Sequence, residues 1–94
     1  MTEYPSAFGE YVIDVHRYSL SEPEITIRQG TTVRWINRNS RRHLIVIQKP
    51  EYVKGTPMEG NGSSWNYTFD IPGEYQYVEA VFGLRGKVMV EEYT

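Results

Sequence analysis

The chain predicts an all-β fold, an antiparallel sandwich or barrel of about seven short strands, and three observations carry that prediction. Period-two alternation recurs in short runs rich in β-branched and aromatic residues. Turn-forming residues of hairpin type separate the runs at the spacing of an antiparallel sandwich. No window of about 12 residues carries a helical apolar stripe.

The runs are taken in order. Tyr11 to Val15 alternates and opens the chain's first strand, and Ser21-Glu22-Pro23 then breaks it from Ile25 to Ile27. Gln29-Gly30 turns into Thr32 to Ile36, and the polar stretch Asn37 to Ser40 leads to Leu44 to Ile47. Gln48 to Gly62 is the one long irregular segment and receives no function. Beyond Gly60-Asn61-Gly62 come Trp65 to Phe69, the Pro72-Gly73 turn, Tyr75 to Val78, and Lys87 to Val90. Val33, Trp35 and Phe69 fall on inward positions. The set Tyr11, Tyr18, Trp35, Trp65, Tyr67, Phe69, Tyr75 and Tyr77 reads as core packing rather than a carbohydrate-stacking surface.

At 94 residues the chain has length for one core, so residues 1–94 are expected to form a single domain. With 39% hydrophobic and 14% aromatic content and no low-complexity run, it belongs with folded chains rather than disordered ones. A net charge of −2 argues against a nucleic-acid partner, because phosphate-backbone affinity needs many Lys and Arg contacts. No stretch approaches the roughly 20 apolar residues of a membrane span. The opening MTEYPSAFGEY lacks the charged and apolar regions of a signal peptide.

Catalysis is not expected. No nucleophile elbow accompanies the many hydroxyls, the carboxylate pairs Glu91-Glu92 and Glu22/Glu24 lie at chain-end or turn positions, and Gly60-Asn61-Gly62 lacks the helix and lysine of a phosphate cradle. Without cysteine there is no disulfide, thiolate ligand or Cys nucleophile.

Three segments resemble the cupredoxins, the plastocyanin-like domains that hold type 1 copper. In the first, Tyr18-x-Leu20 is followed by Ile25-x-Ile27, Gly30 and Val33-x-Trp35-x-Asn37. The second runs from Asn37 to Ile45 and carries His43 six residues after that Asn. The third is Trp65 to Glu79 with Pro72-Gly73-x-Tyr75-x-Tyr77, then Gly86 to Val90. The resemblance covers residues 12 to 90. It implies a Greek-key sandwich or barrel of seven to eight strands and an extracellular or periplasmic setting.

It also implies a ligand set that this sequence does not carry. His43 stands at the first histidine's position, while Glu79, Phe82 and Leu84 stand where the family has its cysteine, second histidine and axial methionine, in a loop about one residue shorter than usual. The expected cofactor state is none, with copper or zinc held at a non-blue site by His43 and Glu79 as the alternative. Phe82 and Leu84 are expected either to plug the pocket or to form, with Ala80 and Val81, an apolar tip ringed by Arg38, Arg41, Arg42 and Arg85 that docks a protein partner. Three functions stand at this point: a non-catalytic binding or assembly module, a non-blue metal site, and an electron-transfer protein whose copper site has been lost or altered.

Overall fold

In the computed structural model, which describes residues 9–92, the chain forms eight strands and no helix. The opening octapeptide, on which the signal-peptide expectation rests, lies outside the described residues. The strands are β1 (Glu10–Val15), β2 (Glu24–Arg28), β3 (Thr31–Asn37), β4 (Ile45–Lys49), β5 (Val53–Lys54), β6 (Ser64–Phe69), β7 (Gly73–Glu79) and β8 (Leu84–Glu91). They build a three-stranded sheet in the order β1-β3-β6 and a five-stranded sheet in the order β2-β8-β7-β4-β5.

All seven predicted runs are strands, and one element is added: the two-residue β5, inside the long irregular segment. Pairing departs from the wholly antiparallel expectation. β3 with β6, β4 with β5, β4 with β7, and β7 with β8 are antiparallel, but β1 runs parallel to β3 and β2 parallel to β8. The physical reason is that β1 and β3 share a sheet while the intervening β2 lies in the other, so the chain re-enters in the same direction. Alternation reports which face a side chain takes and is silent about strand direction.

The inward residues of both sheets meet in one cluster. Ile13, Val15, Val33, Trp35 and Phe69 come from the smaller sheet, and Ile25, Ile27, Ile45, Ile47, Tyr75, Tyr77, Val88 and Val90 from the larger. Trp35 is fully buried, stacks on Trp65 at 5.4 Å and meets Tyr77 edge-on at 5.1 Å, which ties the two sheets at their centre. Tyr67, Phe69 and Tyr75 continue the aromatic series in edge-to-face pairs at 4.9 Å. Tyr18 is the exception among the predicted core aromatics. It is 72% exposed, because it sits in the β1–β2 connection and not on a strand.

Among the described residues, no helix is long and apolar enough to cross a membrane.

Candidate functional site

The site lies where the loop after β3 and the turn after β7 meet. β3 ends at Asn37, which is fully buried and holds the following loop in shape. Its Nδ2 donates to the carbonyls of Arg41 at 2.8 Å and Met58 at 3.0 Å, and its Oδ1 accepts the Asn39 amide at 2.9 Å. A buried side-chain amide with these partners is satisfied, so the loop costs little to hold. His43 follows, fully buried, with its backbone zipped to Met58 in both directions at 3.1 and 2.8 Å.

On the other side β7 ends at Glu79, also fully buried. A four-residue turn, Ala80 to Gly83, returns the chain to β8, and Gly83 takes the positive φ of 77° that this turn requires. The Glu79 carboxylate caps the turn from inside. Oε1 accepts the Phe82 amide at 2.8 Å, and Oε2 accepts the Val81 amide at 3.0 Å. Oε2 also accepts the Leu44 amide at 3.0 Å from the loop across the site, next to the Ala80 N–H bond to the Leu44 carbonyl at 2.8 Å. Charge-assisted bonds of this kind are roughly twice as strong as neutral ones, so one side chain cross-braces both loops.

Glu79 Oε2 stands 3.1 Å from His43 Nδ1. The approach is close but off-line, and Nδ1 makes no directed hydrogen bond among the described residues. The opposite ring nitrogen, Nε2, lies 2.7 Å from Asn39 Nδ2. Asn39 Oδ1 accepts the Arg41 amide at 2.6 Å, which fixes the amide with its NH₂ group toward His43. Nε2 is therefore the acceptor, and the ring proton sits on Nδ1, facing the carboxylate.

Phe82 roofs the histidine. Its ring is half-buried, 5.3 Å from the His43 ring and edge-on to Tyr18 at 5.8 Å. Leu84, also half-buried, packs against the core cluster. The exposed part of this end includes Tyr18, with the Arg17 guanidinium 5.7 Å over its ring, Ala80, and Val81, which is 46% exposed.

The anticipated arginine rim is only partly assembled. Arg41 is exposed beside the loop, whereas Arg38 is paired with Asp14 at 2.9 Å and Arg42 reaches Glu59 at 3.8 Å. Arg85 instead lines a separate cavity of about 190 Å³ with Pro23, Glu24, Gln48, Gln76 and Lys87. Sequence reasoning missed Asn39 and Met58, which complete the His43 surroundings. The Asn39-Ser-Arg41 stretch does carry a signal, since an Asn two residues ahead of a free amide favours a side-chain turn.

The amicyanin of Paracoccus denitrificans is 33% identical over 91 residues, covering 90% of this chain and 68% of that protein. The chain belongs to the cupredoxin family. Amicyanin-alpha of Methylorubrum extorquens is 25% identical over 87 residues, covering 88% of this cupredoxin and 73% of its relative. Among solved structures, the Cu(I) form of a methionine-to-alanine mutant of amicyanin superposes with a TM-score of 0.81 at 30% identity, covering 96% of this chain and 94% of that one. An oxidized methionine-to-leucine mutant of amicyanin gives a TM-score of 0.79 at 31% identity, covering 86% and 81%. No protein-family model matches the chain.

The donor set of this cupredoxin does not fit type 1 copper, whose short Cu–S bond needs a thiolate, because the sequence has no cysteine. No group of three or more His, Asp or Glu side chains converges among the described residues. The two candidates that do converge, His43 and Glu79, fall short of the three or four ligands zinc takes from a protein. Both Glu79 oxygens are moreover already engaged by amides.

Proposed function

We propose that this cupredoxin is a non-catalytic binding or assembly module in which a carboxylate does the structural work a copper ion does elsewhere in the family. One observation carries the proposal. Glu79, at the position the family resemblance gives to the cysteine, accepts N–H groups from both loops and faces the Nδ1–H of His43. That arrangement closes the site with the chain's own hydrogen bonds and leaves an apolar tip of Val81, Phe82 and Tyr18 for a protein partner. An exposed aromatic and aliphatic centre with Arg17 and Arg41 beside it has the composition of such a surface. By the same resemblance the setting is extracellular or periplasmic.

A second reading has its own support. His43 Nδ1 lacks a directed partner and stands 3.1 Å from Glu79 Oε2, so a Cu²⁺ or Zn²⁺ that displaced the Nδ1 proton would meet two donor atoms, its shell completed by water or a partner's residue. The amicyanin likeness supports a third reading, an electron-transfer cupredoxin whose copper site has been lost or altered, since a type 1 site requires a thiolate that the sequence lacks.

Titration with Cu²⁺ and Zn²⁺, followed by visible absorption and calorimetry, separates these readings. The expected result is no intense thiolate-to-copper band and no stoichiometric heat. Stoichiometric binding that His43→Ala abolishes establishes the non-blue metal site instead, and an intense blue band overturns both.

A further inference from the structure

Where the two sheets part at their β6 and β5 edges, a cleft of about 290 Å³ opens between them. Its apolar walls are Ile47, Pro50, Val53 and Ile71, together with Tyr67 and Tyr75. The volume is close to the roughly 300 Å³ lower bound of small-molecule pockets. The remaining lining residues are Thr68 and two acids, Glu51 and Asp70; no lysine or arginine lines it.

Both carboxylates are exposed, and neither has an ion-pair partner among the described residues. The cleft therefore combines apolar surface, two aromatic rings and two carboxylates outside any ion pair among the described residues. The Tyr75 phenol, whose O–H donates to the Ile71 carbonyl at 2.6 Å, reports that field. Its pKa is raised first by burial and then by the neighbouring Tyr67, Glu51 and Asp70.

We infer that this cleft binds a small organic cation, an ammonium group carried on an apolar or aromatic body. The walls bury the body, while the tyrosine rings and the two carboxylates hold the charge. An anion would meet two like charges and no cationic donor. A neutral apolar molecule would draw the acids out of water without compensating them. The site shares no residue with the His43–Glu79 loops, so it stands or falls independently of the metal question.

The test is an amide NMR titration of the isotopically labelled protein with benzylammonium, and in parallel with benzyl alcohol and benzoate. Benzylammonium is expected to give saturable shifts at Glu51, Val53, Thr68 and Asp70, with a dissociation constant on the order of 1 mM and at least roughly tenfold tighter binding than the alcohol. Benzoate is expected not to bind. The Glu51→Gln/Asp70→Asn double variant changes only exposed side chains and should keep the same spectrum while weakening benzylammonium roughly tenfold. Equal binding of alcohol and ammonium, unsaturable shifts scattered over the surface, or a double variant that binds as well as the parent would each overturn the proposal.

Discussion

Tyr77 lies flat across Gly86 on the neighbouring strand, so closely that a Cβ on Gly86 would come within 2.1 Å of its Cζ. Tyr77 cannot step aside, being 2% exposed and held edge-on against Trp35. Gly86→Ala is accordingly expected to destabilise the fold by about 2–3 kcal/mol, the upper range for overpacking a tight core. Denaturant unfolding measures it. A midpoint that does not move would mean that the ring is free to shift.

The cross-brace at Glu79 gives a second prediction. Glu79→Gln keeps the shape but places an NH₂ group where backbone N–H groups of Leu44, Val81 and Phe82 need acceptors. The expected loss is about 1–3 kcal/mol in equilibrium unfolding. Amide exchange should accelerate at Leu44, Val81 and Phe82 more than elsewhere. Unchanged exchange at those amides would remove Glu79 from its bracing role.

Alkaline pH should weaken the fold in a defined window. Burial pushes the Tyr77 phenol up from its ordinary 10.0 to about 12, offset in part by the neighbouring Trp35 indole. The folded state thus holds its proton longer than the unfolded chain. Stability is complete below the unfolded value and falls as pH rises from about 10 to about 12. The contribution of this one group is at most about 3 kcal/mol. Tyr11, raised to about 12 chiefly by its hydrogen bond to Glu22, adds to the decline, so Tyr77→Phe should flatten the profile without levelling it. An identical pH profile in Tyr77→Phe would refute the assignment.

At neutral pH the same substitution should be neutral to stabilising. The Tyr77 hydroxyl and Trp35 Nε1 are both buried without a hydrogen-bond partner among the described residues. Removing an unsatisfied oxygen at nearly constant volume is expected to gain up to about 1 kcal/mol. A loss of stability at pH 7 would show that the hydroxyl is bonded to the indole in solution.

Trp35→Ala is expected to cost about 3–5 kcal/mol, since the ring is fully buried and touches Trp65, Phe69 and Tyr77 across both sheets. Loss of that amount would unfold a marginal domain, one at the low end of the usual range of about 5–15 kcal/mol. Thermal melting checks it.

Strand positions were legible because most runs bury alternate residues, β4 with its three consecutive buried residues Ile45, Val46 and Ile47 being the exception. β3 reads buried and half-buried in turn from Thr31 to Asn37, as Val33 and Trp35 already indicate. Parallel pairing of β1 with β3 was not legible, because hydrogen-bond direction leaves no trace in side-chain pattern. At the site, the meeting of His43 with Glu79 followed from the family resemblance. The capping of the Ala80–Gly83 turn did not, since it depends on a carboxylate turning back on amides two and three residues ahead. The acidic cleft escaped for a related reason. Its walls come from β4, β5, β6 and β7 and from the segments between β4 and β5 and between β6 and β7, and no short window of sequence contains them.

The parallel seam between β2 and β8 has a consequence for biosynthesis. Glu24 to Arg28 pair with Lys87 to Glu91, so β2 waits for a strand made about 60 residues later. While the ribosome is still decoding the middle of the chain, Ile25 and Ile27 have no sheet to join. Only when β8 has left the exit tunnel and paired with β7 is there an edge to receive them. Closure of this sheet is thus deferred until β8 has been made, and a chain stalled before β8 would present β2 as an unpaired strand to whatever chaperone or neighbour meets it first.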